Sequence, residues 1–500
     1  MIRKISPNLL LLGIVVLSLF TWYFAREMAG VSGFPLDDAW IHQTYARSLA
    51  HGEGWTFTPG EPSAGATAPF WVLLLVPGYW LGAAPFAWVM LLAVIQLWGV
   101  GALGISAWRR IGLGNHWWGF ACASLLVFEW HLIWAGLSGM ETLLYGLISL
   151  AVLTLLLELK KNPEAKIVVW VVAGAVVGLG VWVRPEAVTL LALIGMAAGM
   201  DSGQPLKTRL KHLLLSLAGF SLFFGTYLGF NRWLAGAWWP NTFYAKQAEY
   251  SALQEIPLLS RLVEQFSPLI AGVLIALLPG FIFLIYQSLK QRDWVLLSGA
   301  AWALGHVAMY ALRLPVIYQH GRYVIPAIPL FVLLGFVGTF QLVSTLRRGR
   351  TKWLLSRVWG GLIIGFLGLF WLLGIRAYLD DVALIDGEMV AAAAWLSENT
   401  TEDDLIAAHD IGAIGYFTQR PIVDLAGLVS PDVIPFIRDE PALAEYLDQR
   451  CPAFLVTFPD WYTLLPELGE PVYQSDTQVT RDLGGENMVI YRWEGEGTCQ

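Results

Sequence analysis

Residues 69–81 read PFWVLLLVPGYWL, and whether this stretch crosses a membrane decides the side on which every later loop lies. It is apolar throughout, but it falls short of the roughly 20 residues a helix needs to span hydrocarbon, and Pro77 and Gly78 interrupt it. The chain around it is built for lipid. Of its 500 residues 56% are hydrophobic and 14% charged, with a mean hydropathy of +0.58, more apolar surface than a soluble core of this size buries. The 25 Trp and 17 Tyr agree, because amphipathic rings collect where a bilayer meets water. The net charge of -7 carries no nucleic-acid footprint; what matters in such a protein is which loops hold the charge.

Eleven further stretches are long and apolar enough to be read as spans: 8–25, 86–108, 117–135, 142–159, 167–183, 186–200, 212–233, 265–288, 294–312, 324–345 and 355–375. The first is an anchor rather than a cleaved signal, since no small-residue cleavage site follows it and many spans do. If 69–81 lies along the outer interface, the basic clusters Arg3/Lys4, Arg109/Arg110, Lys160/Lys161/Lys166, Lys207/Arg209/Lys211, Lys290/Arg292 and Arg347/Arg348/Arg350/Lys352 share one side, as the excess of cytoplasmic Lys and Arg requires. If it crosses, the first cluster is separated from all the others. The stretch is therefore juxtamembrane, the N-terminus is cytoplasmic, and loops 30–68, 234–264 and 313–323 lie outside.

The tail 376–500 lies outside too. Strand-like runs at 405–409, 422–425, 454–458 and 488–493 alternate with helical patterns at 388–399 and 442–449, which predicts a small extracytoplasmic α/β domain after a membrane module of residues 1–375. Cys122 falls inside a span and reads as a small buried hydrophobe. Cys451 and Cys499 share the tail, where an oxidising compartment permits a disulfide. Their spacing fits no zinc site.

Three groups of polar residues cluster outside. Asp37 and Asp38 follow the first span. Adjacent carboxylates repel and are costly near lipid, so such a pair calls for a cation, a proton or a metal; the plainer alternative is a helix N-cap at Asp38. Glu141, after Ser138-Gly139-Met140, and Arg184-Pro185-Glu186 stand where spans meet the outer surface, and ionisable residues at that depth face a cavity unless they snorkel. Lys246, in Asn241-Thr242-Phe243-Tyr244-Ala245-Lys246, and Arg322, in His320-Gly321-Arg322-Tyr323, are cations on the side where cations are scarce. Arg offers a planar fork that fits phosphate oxygens; pairing with Asp37 or Asp38, or an anionic lipid head group, is the alternative use.

The order Asp37-Asp38, Tyr45-Ala46-Arg47, Gly52-Glu53-Gly54, Phe57-Thr58-Pro59-Gly60-Glu61, Gly65-Ala66-Thr67-Ala68-Pro69-Phe70-Trp71, then Ser138-Gly139-Met140-Glu141, Arg184-Pro185-Glu186, the Asn241 to Lys246 run and His320-Gly321-Arg322-Tyr323 resembles the GT-C fold membrane glycosyltransferases. Within them it is most similar to the cell-wall arabinofuranosyltransferase branch. The resemblance covers most of the membrane region; the tail departs from it. It implies a polyprenyl-phosphate sugar as donor, a cell-envelope glycan or glycolipid as acceptor, membrane lipid as surroundings, and inversion at the sugar carbon. It also implies Asp37 or Asp38 as catalytic base, with Lys246, His320, Arg322, Tyr323 and Tyr244 about the donor phosphate, and Arg47, Glu61, Glu141, Arg184 and Glu186 lining the cavity. Some relatives place a divalent cation beside the acidic residue, and the sequence leaves metal dependence open. His42, His51 and His409 read as ordinary polar residues. Two rival readings are a transporter or flippase for a lipid-linked glycan, which lacks its usual paired broken helices here, and an envelope assembly or sensor subunit whose tail, with His409-Asp410 and Asp424, binds a partner.

Overall fold

The computed structural model describes residues 7–162, 167–201, 203–347 and 349–494. Arg3, Lys4, Lys166, Arg348 and Cys499 lie outside the described residues, and with Cys499 so does the expected disulfide. Among the described residues, eight helices are long and apolar enough to cross a membrane, and His116–Phe128 with Trp130–Leu137, bent by 54° at Glu129, makes a ninth if taken as one span. The expected eleven is not reached because Ile167–Val183 and Pro185–Gly199 are shorter: the Arg184-Pro185 step breaks the run and the chain re-enters through a 3-10 turn. The expected span 265–288 starts late, at Val273, because Pro268 and Gly272 (φ 59°) end the preceding structure. Pro69–Trp80 is a 12-residue helix, too short to cross.

Packing between spans rests on small residues, which let helix backbones approach where lipid supplies no hydrophobic drive between them. A Cβ at Gly174 would lie 1.8 Å from the Ser216 carbonyl oxygen, and one at Gly219 2.0 Å from that of Val171, so Ile167–Val183 and Leu206–Ala235 pack backbone to backbone. Several tryptophans turn inward: Trp22, Trp71, Trp108 and Trp134 are fully buried, and the Trp71 indole donates to the Gly139 carbonyl at 2.7 Å.

The last long helix, Arg350–Ile385, does not stop at residue 375 but runs on through a π-helical turn into Ala391–Asn399. In that turn Glu388 is fully buried and fully bonded: it accepts from Ser475 Oγ, Thr480 Oγ1, Asn487 Nδ2 and the Met488 backbone N–H. A buried carboxylate is tolerated only when satisfied in this way, and here it pins the tail to the helix that carries it.

The tail forms one five-stranded sheet of β1 (Ile406–Ala408), β2 (Ile422–Asp424), β3 (Phe454–Thr457), β4 (Gly469–Gln474) and β5 (Val489–Trp493), in the order β2-β1-β3-β5-β4. β1 pairs in parallel with β2 and β3, while β5 is antiparallel to β3 and β4. Parallel neighbours need crossovers, and helices Gly412–Thr418 and Glu440–Arg450 supply them. The three buried parallel strands and β5 sit where alternation and apolar runs predict. β4 escapes that reading because it is a half-exposed edge strand with Pro471 and a bulge between Pro471 and Tyr473.

Candidate functional site

Within loop 30–68 the chain folds as helix Asp38–His51 beneath the tail domain. Asp37, at its N-cap position, makes no side-chain bond to its own helix; only its backbone carbonyl does, accepting from the Trp40 N–H at 2.9 Å. Its carboxylate instead accepts the backbone N–H groups of Gly412 (2.6 Å) and Ala413 (2.8 Å), capping the tail helix Gly412–Thr418. Only glycine permits this: a Cβ at position 412 would lie 2.0 Å from the Asp37 carbonyl oxygen. The N-cap reading thus belongs to the other aspartate and to another helix. Burial, then the nearby Asp410, push the Asp37 carboxyl well above its usual range against those two N–H bonds.

Asp38 faces the opposite way. Its Oδ2 lies 2.8 Å from Arg322 Nη2 and 3.8 Å from Lys246 Nζ. Burial raises this carboxyl, but the Arg322 and Lys246 charges outweigh it and hold the group well below the usual carboxylate range. The Tyr323 hydroxyl accepts from both Lys246 and Arg322 at 3.0 Å. Asp38, Lys246, Arg322 and Tyr323, from three separate loops, therefore meet. Arg322 is 5% exposed, and its Nε and Nη1 have no partner among the described residues.

Two cavities meet at this cluster, each lined by Asp38, Lys246 and Arg322. The smaller, about 470 Å³, opens among the helices and is lined also by His42, Glu141, Arg184, Glu186, Tyr310 and Tyr323. Here charge is closely paired. Arg184 bonds Glu141 at 2.7 Å and Glu186 at 3.2 Å, Tyr310 donates to Glu186 at 2.8 Å, and His42 lies 3.6 Å from Glu141. Glu141, Arg184 and Glu186 thus line this cavity together. The larger, about 920 Å³, lies between this cluster and the tail, whose His409, Asp410, Trp461 and Tyr462 help to wall it.

The structure takes four expected residues elsewhere. His320 turns from the cations to Asp381 (2.7 Å), between the rings of Trp130 and Trp134, because Gln319 and His320 both adopt left-handed backbone (φ 56° and 59°). Arg47 lines neither cavity; it stacks on the Tyr416 ring and donates to the Tyr416 carbonyl at 2.6 Å, holding the tail. Glu61 is exposed on the loop surface, and Tyr244, 38% exposed, packs on Phe243 rather than on the cations. Beside the aspartates, Asp38 faces two cations and both Asp37 oxygens hold backbone N–H groups; among the described residues no group of three or more His, Cys, Asp or Glu side chains is placed to hold a metal. The residues that the sequence leaves unmarked are Glu249, Tyr310, Trp461 and Tyr462; nothing in their local sequence distinguishes Glu249, Trp461 and Tyr462 from ordinary polar and aromatic loop residues, or Tyr310 from an aromatic residue of a span.

Residues 380–491 match the model of a domain of unknown function, DUF8728. No curated protein matches the chain in sequence. Among solved structures, ArnT from Cupriavidus metallidurans, determined with undecaprenyl phosphate bound, is similar at TM-score 0.59 and 14% identity, over 97% of this chain and 98% of that one. The Archaeoglobus fulgidus oligosaccharyltransferase is similar at TM-score 0.58 and 10% identity, over 90% of this chain and 70% of that one. The arabinofuranosyltransferase AftD from Mycobacteria is similar at TM-score 0.53 and 14% identity, over 98% of this chain and 40% of that one. Likeness at such identities carries the architecture and nothing finer: the chain has the GT-C fold of these polytopic membrane glycosyltransferases.

Proposed function

We propose that this chain transfers a glycosyl group from a polyprenyl-phosphate-linked sugar to a cell-envelope glycan or lipid acceptor on the outer face of the membrane, inverting the sugar carbon. The observation that carries the reading is Arg322, a buried guanidinium with two N–H groups unpartnered beside Lys246 and a cavity. Unmade hydrogen bonds on a buried cation are expensive, and a planar fork beside an ammonium group suits phosphate oxygens. Solved structures of the same fold with undecaprenyl phosphate or a dolichol phosphate support such a donor, and the arrangement of basic clusters supports a cytoplasmic N-terminus and an external tail.

In this reading the donor phosphate binds Arg322 and Lys246, and Asp38 is the base. The acceptor hydroxyl loses its proton to Asp38 as its oxygen bonds to the anomeric carbon. The bond from that carbon to the phosphate oxygen breaks, and its electron pair leaves with polyprenyl phosphate, whose charge the two cations hold. Without donor, Asp38 is paired with those cations and is a weak base. A phosphate that competes for their N–H groups loosens that pairing and returns basicity to Asp38 when it is needed.

The test uses full-length protein in nanodiscs, with undecaprenyl phosphate binding and transfer from a radiolabelled polyprenyl-phosphate sugar as readouts. Arg322→Lys, which keeps charge but loses the fork, is expected to weaken undecaprenyl phosphate binding by about tenfold, on the order of 1.4 kcal/mol. Asp38→Asn is expected to bind it and to lose on the order of 10² to 10⁴ in transfer. Unchanged binding in Arg322→Lys and Lys246→Ala would make these cations structural, and near-normal transfer by Asp38→Asn would move the base elsewhere.

A further inference from the structure

The tail sheet has a topological switch. From β1 the chain passes to β2 on one side, then recrosses to β3 on the other side of β1. In α/β sheets such a reversal opens a crevice beyond the carboxyl ends of the two strands between which the direction changes, and ligands bind there. Here those ends are His409-Asp410, after β1, and 458–462, after β3. They meet: His409 Nδ1 lies 2.8 Å from the Tyr462 hydroxyl, and the His409 ring packs edge-on to Trp461. His409 Nε2 lies 3.5 Å from Glu249 of the membrane module, so the crevice opens onto the larger cavity and towards Asp38.

Its chemistry differs from that of the donor cations. Trp461 is 45% exposed, an aromatic face at the rim of a cavity. Asp410 makes no hydrogen bond or ion pair with any described residue, and Asp410, Asp460 and Glu249 give this end of the cavity acceptor groups. Carboxylates repel phosphate and accept hydrogen bonds from hydroxyls, while an aromatic plane takes the apolar face of a ring. The pairing selects a molecule that is rich in hydroxyl groups, has a flat C–H face and bears no negative charge.

We propose that the tail domain holds the acceptor of the transfer reaction as an uncharged saccharide, its ring against Trp461 and its hydroxyls on Asp410 and the Glu249–His409–Tyr462 chain. This rests on the glycosyl-transfer reading but is tested apart from it. Full-length protein in nanodiscs is titrated with uncharged trisaccharides of arabinose, mannose, galactose and glucose, followed by saturation-transfer NMR, with mannose 6-phosphate and spermidine as charged comparisons. At least one neutral trisaccharide is expected to bind, with mannose 6-phosphate weaker. Asp410→Asn and Trp461→Ala are each expected to weaken that binding at least tenfold while undecaprenyl phosphate binding stays within twofold. Trp461, at the surface, tolerates truncation even if Asp410→Asn fails to fold. Absence of binding by every neutral trisaccharide, binding undisturbed in both variants, or a preference for spermidine or mannose 6-phosphate overturns the proposal. Loss of undecaprenyl phosphate binding in the unmodified protein would instead count against the donor reading alone, since saccharide binding is read independently.

Discussion

The two cavities that share Asp38 solve the problem of charge in opposite ways. Among the helices, Glu141 and Glu186 share Arg184, and His42 and Tyr310 join the network, while Nε and Nη1 of Arg322, Oε2 of Glu141 and Nδ1 of His42 are left without a hydrogen bond among the described residues. Beneath the tail the acidic groups are in excess and one of them, Asp410, makes no hydrogen bond or ion pair with a described residue, though the charge of His409 acts on it. A site enclosed by spans must balance its charges internally, because each uncompensated ion there costs several kcal/mol. Beneath the tail His409 and Asp410 are half-exposed, so their charges need less compensation from neighbouring side chains than those enclosed by the helices.

That contrast is broken most directly by removing the central cation of the first cavity. Arg184→Met leaves Glu141, fully buried, with His42 as its remaining partner. Breaking a buried pair costs about 3–5 kcal/mol, so a large fall in thermal unfolding temperature in detergent is expected, and a variant as stable as the parent would show that this cavity is wet and its charges screened.

A smaller effect is expected where the two regions join. Gly412→Ala places a methyl group against the Asp37 backbone, and overpacking of this kind typically costs about 1–3 kcal/mol. Because Asp37 and Arg47 both hold helix Gly412–Thr418, the tail should loosen, seen as faster trypsin cleavage in 376–494 with the spans intact. Unchanged cleavage would mean that Glu388 alone fixes the tail.

The smallest effect carries the sharpest sign. Burial, with Asp38, Glu249 and Asp424 nearby, raises the Asp410 carboxyl to about 6 although His409 pulls it down; Asp37 faces it as well. A carboxylate raised in the folded state opposes folding: the native protein binds more protons than the unfolded chain between the ordinary value of 3.8 and about 6, so stability falls as pH rises through that window. Asp410→Asn should therefore be slightly more stable than the parent at pH 7 and equal to it below pH 4. In the parent, saccharide binding should weaken as pH falls below about 6. A variant that is less stable at pH 7 would make Asp410 an ordinary structural residue.

Much of this was legible in the sequence. The long apolar helices follow from length and hydropathy, the shortness of helix Pro69–Trp80 from the extent of its apolar run, and the buried strands of the tail from apolar runs, because each depends on residues close in the chain and on the solvent they meet. Lys246 and Arg322 stand out in the sequence as cations in polar loops and Asp38 as one of a carboxylate pair, but that they and Tyr323 meet is decided only in the structure. The division of labour between Asp37 and Asp38 was not legible: two identical neighbours differ only in what reaches them, Gly412 and Ala413 for one and Arg322 and Lys246 for the other. Nor was the fate of His320, set by a left-handed backbone turn that propensity disfavours. The meeting of Glu249, His409 and Tyr462 needed the tail docked on the spans. Local sequence determines which segments enter lipid and which residues can carry chemistry; which atoms face one another depends on long-range packing, where a single close approach such as that of Gly412 decides the geometry.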